Sequence, residues 1–276
     1  MVVAPYFNPS HLRPFNPCLT FRTFALFNHT TLSVQNNLIF GRHPVIDAIK
    51  SGKTIDKVIL QQDAAGEMAR EIRKLCKTRF IPVQMVPKER LNRLVRGNHQ
   101  GVMCWLSLIE YQKLADVLPT IYEKSEVPLI LLLDGVTDVR NFGAIARSAE
   151  VLGAHAIVIP RKKSAQITPD AIKTSAGALL EIPVCREPSI IASVEYLQQS
   201  GVQVFASDLK AEKQMHEVDF TAPCALVIGA EDRGVSRSIL QVVDQPFIIP
   251  QLGKTDSLNV SVATGIMLYE VLKQRT

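Results

Sequence analysis

The sequence predicts an α/β protein built from two units. Three observations carry that expectation. Short apolar runs alternate with helix-periodic segments along most of the chain. Residues 129–133 are all Leu or Ile, the pattern of a strand buried on both faces of a parallel sheet. Charge is also segregated: residues 37–110 hold 13 Lys/Arg against 7 Asp/Glu, whereas residues 127–276 hold 14 against 16.

The chain divides accordingly into a leader (1–36), a basic unit (37–110), a connecting helix and linker (111–126) and a larger unit (127–276). The leader is rich in Pro, Phe and Asn, has no acidic residue and shows no periodicity. It reads as a disordered extension or an over-extended start, with weak transit-peptide character.

In the basic unit, 38–40 is a strand stopped by Gly41, and Pro44 suits the first turn of a helix that Ser51-Gly52 closes. A buried strand follows at 57–60. The helix at 67–77 turns Met68, Ile72, Leu75 and Cys76 inward and its basic residues outward. A strand at 82–86, a helix at 88–95 and a strand at 101–109 complete a small α/β sandwich, with His99-Gln100-Gly101 as a polar loop entering the last strand. In the larger unit the strands fall at 129–133, 156–160, 182–185, 202–207, 224–229 and 247–249. Helices run over 141–152 and 257–272, with more between the strands.

Composition excludes several classes. At 276 residues and 47% hydrophobic, the chain has material for two cores and is not disordered overall. No apolar run approaches the roughly 18 residues of a membrane helix. Its 5 cysteines include no Cys-x-x-Cys pair and its 6 histidines are scattered, so neither a disulfide framework nor a metal site is expected. Cytoplasm is the expected location. The dinucleotide fingerprint and the Gly-x-x-x-x-Gly-Lys phosphate loop are both absent, which argues against a nucleotide-dependent oxidoreductase or kinase. A basic unit beside a near-neutral one suits a polyanion-binding module attached to something else, although an ordinary solvated surface gives the same pattern.

Three stretches carry chemistry. At 134–147 an apolar strand delivers a polar loop and then a helix, with Asn141 placed to cap it and Arg147 about 9 Å further along the axis. That arginine is placed either to reach a phosphate or to pair with Glu150 at i+3. At 225–235 a buried strand enters a Gly-x-Glu-x-x-Gly loop, whose glycines permit close approach of main chain to a ligand. At 249–263 a proline-ended strand leads through a polar loop to Ser257, a candidate cap. Asn259 and Ser261 then stand among apolar neighbours, where unpaired polar groups cost about 1–3 kcal/mol each.

Together, Asn-x-Gly-x-x-x-Arg at 141–147, Gly-x-Glu-x-x-Gly at 229–234 and Ile-Pro…Gly…Ser-Leu-Asn-Val-Ser-x-Ala at 249–263 resemble three known motifs. They are those of the SpoU (TrmH) family of S-adenosylmethionine-dependent RNA ribose 2′-O-methyltransferases, in the SPOUT class, and the resemblance covers 127–276. Phe40-Gly41-Arg42-His43-Pro44-Val45 and the unit behind it resemble that family's N-terminal substrate-binding domain. The layout is most similar to the members acting on a guanosine ribose of large-subunit rRNA.

The resemblance implies a catalytic domain with a deep trefoil knot and a homodimer whose site lies near the interface. It implies that the methyl donor is held by main-chain groups at Gly229, Ile249 and Leu258, and that Asn141, Arg147, Glu231, Ser257 and Asn259 line the reacting centre. A guanidinium stays protonated in water, so Arg147 is read as gripping a phosphate and orienting the hydroxyl, with Glu231 or the phosphate taking the proton. Asp232 stands where the family commonly has glycine. The alternatives are a tRNA ribose methyltransferase and a non-catalytic RNA-binding ribosome-assembly protein.

Overall fold

Two sheets organise the computed structural model, which describes residues 37–64, 66–254 and 257–276. The leader lies outside these residues. The first sheet has four strands: β1 (Leu38–Phe40), β2 (Ile55–Gln61), β3 (Val83–Val86) and β4 (Val102–Leu106), in the order β1-β4-β2-β3. β2 and β3 run parallel, and β4 runs antiparallel to both β1 and β2. Alternate residues of β2 serve opposite faces, as a pleated strand requires. Val58 and Leu60 meet α1 (Arg42–Lys50) and α2 (Glu67–Thr78), while Ile59 packs in the cluster formed with α3 (Lys88–Leu94).

The segment after β4 does more than connect. Leu114, Val117, Leu118 and Ile121 of α4 (Leu114–Glu123) are buried in the core of the second sheet, beside Ile130 and Leu132. That sheet is six-stranded and wholly parallel. Its strands are β5 (Leu129–Asp134), β6 (Ala156–Pro160), β7 (Val184–Glu187), β8 (Gln203–Ser207), β9 (Cys224–Gly229) and β10 (Gln245–Phe247), ordered β10-β8-β9-β5-β6-β7. The apolar run 129–133 is buried throughout because helices cover both faces. One face carries α4, α8 (Ile190–Gln199) and α9 (Arg237–Leu240). The other carries α5 (Val139–Val151), α6 (Pro169–Thr174), α7 (Ala178–Glu181) and α10 (Val260–Arg275).

Several boundaries differ from the sequence expectation; the strands expected at 101–109 and 182–185, for example, cover Val102–Leu106 and Val184–Glu187. The last strand covers 245–247 rather than 247–249, because Pro246 sits on the sheet edge, where its missing N–H costs no ladder bond. The final helix starts at Val260 rather than Ser257, because Asn259 supplies the cap. In α5, Gly143 is a packing residue. A Cβ there would lie 2.7 Å from the Ala171 carbonyl oxygen, so only glycine allows α6 this close.

Candidate active site

β5 lies between β6 and β9, so the chain leaving β5 turns to one side of the sheet and the chain leaving β9 turns to the other. Their carboxyl ends flank a topological switch point, the position where open parallel sheets bind ligands. The loops after β5 and β9 are the first two motif stretches, and the start of α10 brings in the third.

The β9 loop is closed on itself. Ala230 N–H donates to the Gly234 carbonyl at 3.2 Å and Gly234 N–H to the Ala230 carbonyl at 2.8 Å. A Cβ on Gly229 would fall 2.0 Å from the Gly234 carbonyl carbon, so any side chain there would force the loop open. Gly234 itself has φ +67°, in the left-handed region that favours glycine. The loop holds Glu231, Asp232 and Arg233 at the surface, the three residues between its closing hydrogen bonds.

Glu231 is the centre of a hydrogen-bonded cluster drawn from all three stretches. Asn141 Nδ2 donates to Glu231 Oε2 at 2.9 Å. Asn259 Nδ2 donates to Asn141 Oδ1 at 3.1 Å and reaches Glu231 Oε1 at 3.3 Å. Capping explains why these side chains are available. Asp138, not Asn141, caps α5, with its Oδ1 accepting from Asn141 N–H at 2.7 Å. Asn141 therefore keeps its amide for Glu231. Asn259 does both jobs: its Oδ1 accepts from Ser261 N–H at 2.9 Å, capping α10, while its NH2 faces the cluster.

Beside the cluster is a cavity of about 430 Å³, within the usual range for small-molecule clefts. Gly229, Glu231, Ile249, Ser257 and Leu258 all line it, and Ile228, Ala263 and Met267 supply an apolar floor. The main-chain groups of Ile249 and Leu258 make no hydrogen bond to another described main-chain group, which leaves donors and acceptors for a ligand. The sequence reading missed one wall, Ser207 to Lys210. That wall follows β8, and only the pairing of β8 between β9 and β10 brings it here. Cavity and cluster together offer an apolar slot, free main-chain polar groups and one carboxylate held by two amides.

Arg147 does not join this group. It is exposed on α5, does not line the cavity, and makes neither a hydrogen bond nor an ion pair with any described residue, including Glu150. Thiol chemistry is also remote. Burial pushes Cys76 and Cys224 up to about 11, and Cys104 and Cys185 up to about 12, so these thiols stay protonated near neutrality. Among the described residues no His, Cys, Asp and Glu form a group suited to a metal ion, and no helix is long and apolar enough to cross a membrane.

Comparison with known proteins follows the same division. Residues 128–269 match the SpoU rRNA methylase family, and residues 38–112 match the RNA 2′-O ribose methyltransferase substrate-binding family. The Bacillus subtilis (strain 168) protein YacO, which carries a TrmH family tRNA/rRNA methyltransferase name, is 35% identical over 244 residues, 88% of this chain and 98% of that one. Among solved structures, the SpoU methyltransferase AviRb from Streptomyces viridochromogenes in complex with AdoMet is 26% identical with a TM-score of 0.55, covering 86% of this chain and 90% of that one. An AdoMet-bound rRNA methyltransferase from Sinorhizobium meliloti is 25% identical at a TM-score of 0.55, covering 87% and 88%.

Proposed function

Because the chain belongs to the SpoU methylase family of RNA methyltransferases, we propose that it transfers methyl from S-adenosylmethionine to a ribose 2′-hydroxyl of RNA, and that its target is a guanosine of large-subunit rRNA. The observation that carries this reading is the meeting of Asn141, Glu231 and Asn259 beside a cavity lined by Gly229, Ile249 and Leu258.

The cavity suits the donor: an apolar floor for a flat base and unused main-chain groups at Ile249 and Leu258 for its polar edges. Bound there, the donor supplies an electrophilic sulfonium methyl. The residues of this chain do the rest. Glu231 is held on both oxygens, so its carboxylate has a fixed direction and would accept the hydroxyl proton as the methyl passes from sulfur to oxygen, the S–C bond breaking as the O–C bond forms. The target's own phosphate is the other acceptor in reach of such an arrangement. Fixing donor and hydroxyl in line supplies much of the rate, as proximity generally does.

The active unit in this reading is a homodimer, with the knotted C-terminal segment of its family. The support is α10. Val262, Ile266 and Tyr269 recur at i, i+4 and i+7 and all are exposed, while the opposite face is packed in the core. A helix that is apolar all round is ordinarily covered all round. On α5, exposed Val151 lies four residues from Arg147 and shares its face. Arg147, which does not line its own protomer's cavity, reaches the target phosphate in the partner's site in this reading.

The test is calorimetric titration with S-adenosylmethionine, then methyl transfer to rRNA and tRNA with mapping of the modified ribose. Saturable donor binding and a 2′-O-methyl mark in rRNA are expected. A mark on tRNA alone moves the substrate to the alternative, and no donor binding overturns the enzyme reading. For the dimer, mixing Arg147→Ala and Glu231→Gln chains should restore activity through hybrids. Failure of hybrids to exceed either parent places Arg147 in its own site.

A further inference from the structure

A second concavity lies in the first unit, between the start of α1, α3 and the loop before β4. Its volume is about 510 Å³, and Arg42, Lys88, Asn92, His99, Gln100 and Gly101 are among its lining. The loop is held in an uncommon shape. Gln100 has φ +51° and Gly101 φ +80°, and such conformations in non-glycine residues collect at ligand sites.

The hydrogen bonds beneath it decide what it can bind. His99 is buried, and its Nδ1 accepts from Gly101 N–H at 3.0 Å. The proton of the neutral ring is therefore on Nε2, which donates to Asn92 Oδ1 at 2.7 Å. Gln100 Oε1 accepts from Arg42 N–H at 3.0 Å, and the Gln100 carbonyl accepts from Arg42 Nε at 3.2 Å. Both side-chain amide oxygens are thus used internally. The side-chain amides of Gln61 and Asn98 also line the groove, and beside them what remains for a ligand is the NH2 of Asn92, the NH2 of Gln100, the outer guanidinium nitrogens of Arg42 and the Lys88 ammonium. These four residues are exposed, and those atoms have no partner among the described residues. The groove presents mostly donors, with two positive charges, so it matches a ligand rich in acceptors and negative charge. An exposed aromatic borders it: a Cβ on Gly97, which lines the groove, would lie 3.1 Å from the Phe40 ring.

We propose that this groove holds one unpaired nucleotide of the RNA substrate. Its phosphate lies on Arg42 and Lys88, its base edge on the amides of Asn92 and Gln100, and its base face against Phe40. The inference rests on the reading of the chain as an RNA methyltransferase and adds where, outside the catalytic cavity, the RNA is gripped. A flat basic surface would bind any RNA by charge alone, whereas a donor-lined groove with a stacking ring selects single-stranded bases.

The experiment uses the full chain and fluorescein-labelled RNA, either a hairpin with an unpaired loop or a fully paired duplex, followed by anisotropy. Asn92→Asp is the informative variant. It keeps the oxygen that His99 needs, and so the loop, but replaces the free NH2 with a carboxylate oxygen. Hairpin binding should weaken roughly 10-fold or more, with duplex binding far weaker than hairpin binding in the unmodified chain. Lys88→Gln should reduce the slope of log K against log salt by about 0.7, the value for one single-strand phosphate contact. Phe40→Leu should leave that slope unchanged while abolishing quenching of 2-aminopurine in the loop. Asn92→Asp binding within about twofold of the unmodified chain, or equal binding of hairpin and duplex, overturns the proposal. Calorimetry with S-adenosylmethionine on the same proteins separates the two readings, because these variants lie outside the donor cavity and should bind it normally.

Discussion

Two polar clusters of similar size show how little a count of hydrogen bonds says about function. At the junction of the two sheets, Asp56 at the start of β2 accepts from Tyr111 Oη at 2.6 Å, from Gln166 Nε2 at 3.0 Å and from Arg186 on β7. Arg186 also donates to the Ile55 and Asp56 carbonyls at 3.2 Å, and its guanidinium sits 3.4 Å from the Tyr111 ring centroid. Asp56 is 8% exposed, and burial together with the Asp56 carboxylate raises the Tyr111 hydroxyl pKa well above its ordinary range. The Glu231 cluster has no such seal. Its carboxylate is exposed, its partners are neutral amides, and a cavity opens beside it. The sealed cluster turns its hydrogen bonds inward, with Arg186 joining β7 to β2. The open one keeps part of its capacity for a ligand, at the carboxyl ends of the strands.

Substitutions should pull the two apart. Arg186→Ala leaves a buried carboxylate without its charge partner, and should cost about 3–5 kcal/mol of unfolding free energy in urea. A loss under about 1 kcal/mol would put the two clusters on the same footing. Glu231→Gln should leave the urea midpoint almost unchanged and lower methyl transfer about 100-fold, a barrier rise of about 2.7 kcal/mol. Near-normal turnover would remove Glu231 from the chemistry. Asn259→Ala falls between the classes, since the residue serves both. It should lose about 1 kcal/mol of stability through the lost cap, together with a drop in activity. Loss of activity with no loss of stability would show that its cap is dispensable.

The smallest effect concerns His155, whose Nδ1 accepts from Leu129 N–H at 3.0 Å and whose Nε2 lies 3.3 Å from Glu126. Burial lowers its pKa below the ordinary 6.5, outweighing the attraction of Glu126. The unfolded chain therefore binds the proton more readily, so stability is full above pH 6.5 and falls as pH drops through the unfolded value towards the folded one. His155→Gln should flatten stability against pH in that window, and an unchanged profile would show that Glu126 cancels the burial.

Much of the larger unit was legible because its signals are local. Runs such as 129–133 and 224–229 are short, apolar and bounded by turn residues, the mark of a buried strand, and each leads straight into a polar loop. The caps were less legible. Asp138 and Asn141, like Ser257 and Asn259, are both good capping residues close together, and only the folded structure shows that Asp138 and Asn259 are the caps. Long-range partnerships were not legible at all. Asp56 and Arg186 are 130 positions apart, and nothing near either announces the other. The donor groove was half visible: His99-Gln100-Gly101 stood out as a polar loop, but the pairing of His99 with Asn92 needs α3 folded against it. Arg147 shows the converse. Its spacing from Asn141 is as the motif requires, yet it does not line the cavity that Asn141 and Glu231 border.

Asn259 has a kinetic consequence. The oxygen that stops α10 from fraying and the nitrogen that steadies Glu231 belong to one amide, so a shift of that carboxylate tugs on the first turn of the C-terminal helix. Amide hydrogen exchange at Ser261, whose N–H is the capped group, would then act as a built-in reporter of occupancy. It should slow when a ligand locks Glu231 in place and quicken when the carboxylate is pulled aside, before any product is made.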